Sequence, residues 1–114
     1  MNDDTAFKRP KPSNSDLIIS YHALERFKER WKPIDEYDST PSDEQEWLDK
    51  FTTIFRASSE KTLSRVSRVR QMLNHQCQEA RFFNSRVYGL QFIAIEQKDG
   101  LLIKTVISIG REYR

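Results

Sequence analysis

The hydrophobic period of the chain changes near its end, and this change constrains the fold more than any other feature. The stretches "RVYGLQFIAIEQ" and "LLIKTVISI" both alternate their side chains with a period of two, which is the period of a β-strand. Between them, "KDG" contains an Asp-Gly pair, which accepts the positive backbone angles of a tight turn. The sequence therefore predicts a C-terminal β-hairpin, and "RFFN" just upstream predicts a third antiparallel strand.

A short amphipathic helix is predicted in "SYHALERFKERW", residues 20–31. Leu24, Phe27 and Trp31 recur at spacings of three and four, which places them on one apolar stripe. Ser20 is expected to cap this helix, and Pro33 to end it, because proline disfavours a helical residue before it. The preceding "DLIIS" has the β-branched apolar centre of a short strand.

A second helix is predicted further along, with Ser42 as its cap and Gln45 three residues later. Its apolar positions are Trp47, Leu48, Phe51, Ile54 and Phe55. The apolar pattern lapses around "ASSEK" and then resumes as far as Cys77, so a third helix or a bent continuation is expected there.

These elements predict one domain of the α+β class. Two or three helices are expected to pack on a small antiparallel sheet that ends in the C-terminal hairpin. The domain is expected to span residues 16–114, a length that suffices for one modest core. Residues 1–15 have two prolines and no apolar periodicity, and they are expected to form a flexible arm.

Charge is divided unevenly along the chain. Residues 1–49 hold seven Lys/Arg and twelve Asp/Glu, whereas residues 50–114 hold twelve Lys/Arg and five Asp/Glu. Residues 35–49, here called the acidic segment, carry seven carboxylates and no basic residue before position 50. The basic half suggests a polyanionic partner, and the acidic segment is expected to shield it, to dock a basic partner or simply to be solvated.

What the chain lacks disfavours several kinds of site. Three glycines provide no loop that cradles a phosphate, and His75 with Cys77 is too small a set for a structural zinc site, so no metal or other cofactor is expected. A single cysteine forms no internal disulfide, which fits a reducing compartment and predicts a cytoplasmic protein. No apolar run approaches the roughly 20 residues of a membrane helix, so no membrane partner is expected.

The polar side of the first helix carries the residues best suited to chemistry. His22, Arg26 and Arg30 form an i, i+4, i+8 row. Attack of an RNA 2′-hydroxyl on its own phosphate needs a base, an acid and cations, and it needs no metal ion. Histidine transfers protons near neutral pH, and the guanidinium fork matches phosphate oxygens. Alternatively, the histidine is a solvated surface residue, and the arginines pair with Glu25 and Glu29.

The same helix resembles a motif of known proteins. "YHALERFKERW" is similar to the H-A-x-x-R-x-x-x-R helix of small prokaryotic proteins grouped with the RelE/ParE and BrnT-type toxins, in which helices precede an antiparallel sheet. The last strand of those families often reads like "IKTVIS". The resemblance is carried by His22, Ala23, Arg26, Arg30, Thr105 and Val106. It implies ribosome-dependent or free ribonuclease activity that a partner antitoxin neutralises.

The resemblance also draws attention to the last residues, "REYR". RelE-like chains often keep catalytic basic and aromatic residues after the last strand, which makes Tyr113 a candidate catalytic residue and Arg111 a candidate nucleic-acid contact. Upstream, Lys61, Arg65 and Arg68 recur at i, i+4, i+7 and are expected to form a basic helix face that follows a phosphate backbone.

The leading hypothesis is therefore a metal-independent, RNA-directed endoribonuclease of toxin type that uses the His/Arg/Arg row. Its expected partners are RNA or the ribosome, and a protein antitoxin. One alternative is a non-enzymatic phage or plasmid module that inhibits a host protein through its acidic surface. Another is a nucleic-acid-binding accessory protein that uses the basic face without catalysis.

Overall fold

A computed structural model describes residues 16–61, 66, 69, 70, 73 and 80–110. The elements follow in the order β1 (Leu17–Ile19), α1 (Tyr21–Arg30), α2 (Glu44–Ala57), β2 (Ser59–Lys61), β3 (Ala80–Ser85), β4 (Leu90–Gln97) and β5 (Gly100–Ser108). The α+β class and the C-terminal hairpin of β4 and β5 are confirmed. The predicted arm lies outside the described residues.

The five strands form one sheet in the order β1-β5-β4-β3-β2. β3 contains "RFFN" and pairs antiparallel with β4, as predicted. β1 pairs with β5 in parallel, with Leu17 opposite Leu101, so the sheet is mixed rather than wholly antiparallel. The predicted antiparallel sheet therefore contains one parallel pair, because the alternation within a three-residue strand does not encode the direction of its partner.

The stretch "ASSEK", where the apolar pattern lapses, ends in a short edge strand, β2, whose three residues are all exposed. β2 pairs antiparallel with β3, and Lys61 lies opposite Phe82. The prediction that Lys61 begins a helical row is therefore wrong, because this residue ends a strand. The other two residues that were predicted to share this helix face, Arg65 and Arg68, lie outside the described residues.

The helix ends follow from local hydrogen bonds. The side chain of Ser20 accepts from the backbone N–H of Ala23 at 3.0 Å, which confirms the predicted cap of α1. α2 is capped one residue later than predicted, because Asp43 rather than Ser42 accepts from the N–H of Glu46, at 2.8 Å. Within the described ranges, no helix is both long enough and apolar enough to cross a membrane.

Both helices contribute to one aromatic core against the sheet. The Phe27 ring of α1 lies 5.0 Å from that of Phe51 and 6.3 Å from that of Phe92 on β4, measured between centroids. Phe55 of α2 packs edge-on against Phe83 of β3 at 4.9 Å. The predicted apolar stripes of α1 and α2 are thus buried in a common core, and the polar face of α1 is turned outwards.

One glycine fixes where β1 meets the hairpin. Gly100 follows the predicted turn and has a φ of +148°, a backbone conformation that residues other than glycine rarely adopt. A Cβ atom at this position would lie 2.0 Å from the carbonyl oxygen of Asp16. The glycine therefore lets the backbone leading into β1 approach the hairpin closely.

Candidate nucleic-acid interface

The predicted row lies on the solvent side of α1. His22 is exposed, and the side chains of Arg26 and Arg30 are 37% and 34% exposed. Leu24 and Phe27, on the other side of the helix, are buried. The structure therefore brings the three predicted site residues together on one accessible face.

The two arginines of the row share one carboxylate. Arg26 Nη1 donates to both carboxylate oxygens of Glu29, at 2.7 and 2.8 Å, and Arg30 Nη1 lies 3.5 Å from Glu29 Oε1. Glu25 instead contacts Lys28, at 3.5 Å. The alternative of arginine–glutamate pairing is thus observed for Glu29, whereas Glu25 pairs with a lysine.

His22 differs from both arginines. Within the described residues, its side chain forms no hydrogen bond or ion pair, and the neighbouring Tyr21 is 77% exposed. The beginning of the helix is held to the sheet, because Ser20 Oγ donates to the carbonyl oxygen of Lys104 at 3.2 Å. Lys104 sits on β5 at an irregularity in the pairing with β4, and it is exposed.

Sequence reasoning missed two members of this surface. Tyr21 stands next to His22 in the chain, so its position in "SYHALER" was the available signal. Lys104 is 82 residues away from His22, and the pairing of β1 with β5, together with the hydrogen bonds of Ser20 to β5, brings it beside the start of α1. The surface therefore combines an imidazole, an aromatic ring and three basic side chains.

The acidic segment has a different construction, centred on Asp38. This carboxylate accepts from Lys50 Nζ at 2.6 Å, from the Tyr88 hydroxyl at 2.7 Å and from the backbone N–H of Ile34 at 3.0 Å. Its side chain is only 9% exposed. Desolvation raises the pKa of Asp38, but the hydrogen bonds from Lys50 and Tyr88 outweigh that effect, and the pKa lies below its ordinary value.

The partners of Asp38 belong to the same cluster. Burial, followed by the hydrogen bond to Asp38, raises the pKa of Tyr88 to about 12. The Tyr88 ring stacks on Trp31 at 6.3 Å between centroids, and Lys50 Nζ lies 5.0 Å from the centre of the Trp31 ring. The cluster therefore ties the acidic segment to the end of α1, to α2 and to the turn between β3 and β4.

The other carboxylates of the acidic segment, except that of Glu36, also accept hydrogen bonds or form ion pairs. Asp43 caps α2, Glu44 binds Lys28 Nζ at 2.9 Å, and Asp49 accepts from Gln45 at 2.9 Å. Asp35 and Glu46 accept from backbone N–H groups of the same segment. Glu36 is exposed and forms no such contact within the described residues. Six of the seven carboxylates thus stabilise the local fold.

The remaining candidate site residues do not join the row. Lys61 is exposed at the end of β2, and Arg65, Arg68, Arg111 and Tyr113 lie outside the described residues. In the part of the chain that the structure describes, no three His, Cys, Asp or Glu side chains are grouped so that they could hold a metal ion. Comparisons with protein-family models, with curated proteins and with solved structures find no match for this chain.

Proposed function

We propose that this protein binds RNA through the solvent face of α1 and cleaves it without a metal ion, as an endoribonuclease of toxin type. The observation that carries the proposal is the accessible row of His22, Arg26 and Arg30 on a helix whose other side is fully buried. The row is held rigidly by the core and yet takes no part in it. A cytoplasmic location, where RNA and ribosomes are present, belongs to the same proposal.

The chemistry assigns a separate task to each side chain. His22 would remove the proton of the attacking 2′-hydroxyl, and the imidazolium so formed would protonate the leaving 5′-oxygen as the 2′,3′-cyclic phosphate forms. Arg26 and Arg30 would donate to the phosphate oxygens as negative charge gathers there. Tyr21 offers an exposed ring on which an unpaired base can stack.

Glu29 sets the condition under which the arginines can act. Ion pairs between exposed side chains contribute roughly 0–1 kcal/mol, so an RNA phosphate can replace the Glu29 carboxylate at little cost. Until then, the carboxylate keeps both guanidinium groups over the same turn of α1. Glu29 thus holds the arginines in place and competes with RNA for them.

The acidic-surface alternative has less support. Two carboxylates of the acidic segment, those of Asp38 and Glu44, already pair with lysines, and four more accept hydrogen bonds within the segment. The accessory-protein alternative uses the same α1 surface and differs only in leaving His22 without a chemical role. The decisive measurement is therefore cleavage rather than binding.

The test incubates the purified protein with total RNA, with and without ribosomes, in the presence of a chelator. We expect cleavage, and we expect His22→Ala to lower its rate by roughly 10²- to 10⁴-fold, the usual contribution of one general acid or base. Arg26→Ala should reduce both rate and affinity, and Arg26→Lys should restore charge without the bidentate fork. Lys98→Ala removes an exposed cation from the hairpin turn and serves as the matched control.

Two results would overturn the proposal. Full activity in His22→Ala would mean that the imidazole is only a surface residue. RNA binding without cleavage, lost in Arg26→Ala and kept in His22→Ala, would support the accessory-protein alternative. The proposed toxin–antitoxin relationship has a separate test, which is whether a small co-encoded protein forms a complex with this chain and stops the cleavage.

A further inference from the structure

A second accessible surface lies between β2 and β3, on residues that the α1 site does not use. Val66, Val69 and Leu73 are helical, and they are 68%, 54% and 68% exposed. Their i, i+3, i+7 spacing places all three on one side of the helix. Together with Arg70 they line an open cavity of about 480 Å³. We call these three apolar residues the 66–73 stripe.

The stripe is unlike the other apolar positions of the chain. The buried core is made by α1, α2 and the inner face of the sheet, and none of the three residues belongs to it. Exposed apolar residues that stand singly are normal on a protein surface, whereas a contiguous apolar patch marks a site of association. Three such residues on one helical face are the arrangement by which one amphipathic helix packs against another, as in coiled-coil zippers.

Charge decides what kind of partner fits. Arg70 lines the cavity beside the stripe, and the nearest acid before it in the sequence is Glu60. Glu60 is bound by Arg81, with Nη2 at 2.8 Å from Oε1, so its charge is already balanced. Lys61 and Arg70 are both exposed. The complement of this surface is therefore apolar at its centre and acidic at its sides.

We infer that the 66–73 stripe docks an acidic amphipathic helix of a partner protein. The partner's apolar side chains would cover Val66, Val69 and Leu73, and its carboxylates would face Arg70. A phosphate backbone is the poorer fit, because it would leave three aliphatic side chains in water. The acidic segment of a second copy is also a poor fit, because most of its carboxylates are already hydrogen-bonded within their own chain.

The experiment uses the full chain and three labelled synthetic peptides of about 20 residues, long enough for several helical turns. The first carries leucines at i, i+3, i+7 spacing with flanking glutamates, the second has lysines instead of the glutamates, and the third has serines instead of the leucines. Fluorescence anisotropy should show that the first peptide binds with a Kd at least about tenfold lower than that of either of the other two.

Variants of the chain locate the contact. Leu73→Ser should weaken binding of the acidic amphipathic peptide about tenfold. Val87→Ser is the matched control, since Val87 is 57% exposed outside the stripe, and it should change nothing. Arg70→Glu should weaken the glutamate peptide and strengthen the lysine peptide, a reversal that a merely unfolded variant cannot produce. His22→Ala should leave peptide binding intact, which separates this inference from the proposed cleavage.

Each contrary outcome has a definite meaning. Equal binding of the serine peptide would show that charge alone attracts the ligand, and binding of no peptide would likewise overturn the inference. Self-association of the free chain that Leu73→Ser abolishes, measured by sedimentation, would assign the stripe to a second copy. Loss of binding to a single-stranded RNA oligonucleotide in Leu73→Ser, with peptide binding unchanged, would assign it to nucleic acid.

Discussion

The acidic segment and the row on α1 are both rich in charge, but their charged groups are used in opposite ways. In the acidic segment, carboxylates cap a helix, bind backbone N–H groups and close a partly buried cluster around Asp38. Among the described residues, the arginines of α1 form ion pairs with a neighbouring exposed glutamate, and His22 forms no hydrogen bond or ion pair. Polar groups that the fold does not use are the ones left for a ligand.

The sharpest test of this contrast is the removal of the Asp38 carboxylate. Asp38→Ala should lower the free energy of unfolding by roughly 2–3 kcal/mol, because it leaves the partly buried Tyr88 hydroxyl and the Lys50 ammonium without their acceptor. The measurement is urea unfolding followed by circular dichroism. Glu36→Ala, in the same segment but without a contact, should have almost no effect. Equal losses in both variants would show that the segment stabilises the fold only through its net charge.

Acid should weaken the same cluster. The pKa of Asp38 is lower in the folded chain than the ordinary 3.8, so its stabilising effect is complete above that value and is lost as the pH falls through the folded pKa. Unfolding curves recorded from pH 6 down to about pH 3 should therefore show a smaller loss of stability for Asp38→Asn than for the parent chain. If the two chains lose stability in parallel, other carboxylates cause the acid sensitivity.

A smaller effect is expected at the beginning of α2. Asp43 caps this helix through the N–H of Glu46, and replacement of such a residue by alanine usually costs about 1 kcal/mol. Asp43→Ser keeps a capping oxygen and should recover most of the loss, and thermal unfolding compares the two. Asp43→Ser matching Asp43→Ala would mean that the charge matters and the hydrogen bond does not.

The smallest effect on stability is expected on α1. Glu29→Gln should change the free energy of unfolding by no more than about 0.5 kcal/mol, because exposed i, i+3 pairs contribute little. It should strengthen RNA binding, since it releases both guanidinium groups. Glu25→Gln removes the same charge from the same helix but not the partner of Arg26, so it should strengthen binding less. Equal gains in both variants would attribute the effect to net charge.

Regular hydrophobic patterns made most of the fold predictable. The hairpin, β3 and both helices follow from periods of two and of about 3.6, because each has one side in the core. All three residues of β2, "SEK", are exposed, so this strand has no alternation of apolar and polar residues that a sequence pattern could reveal. The partner and direction of β1 depend on contacts with β5, which lies more than 80 residues away.

The candidate site was predictable in part, and the reason lies in which contacts are local. The row on α1 follows from spacing within one helix, and so does its pairing with Glu29. The acidic segment looked uncompensated because its partners are distant or are not charged: Lys50 is 12 residues from Asp38, and Tyr88 is 50. Counting charges along a sequence detects neither a tyrosine hydroxyl nor a backbone N–H as a partner.

The parallel pairing of β1 with β5 also sets the order of events during synthesis. Ser20, which caps α1, is held by the carbonyl oxygens of Ile103 and Lys104. A nascent chain exposes the "YHALERFKER" of α1 long before these acceptors leave the ribosome, and contacts so far apart in sequence form slowly. These two hydrogen bonds at the start of the helix that carries His22 therefore form only after β5 has been made. Under the proposed function, the α1 surface would reach its final position on the sheet only when synthesis is nearly complete.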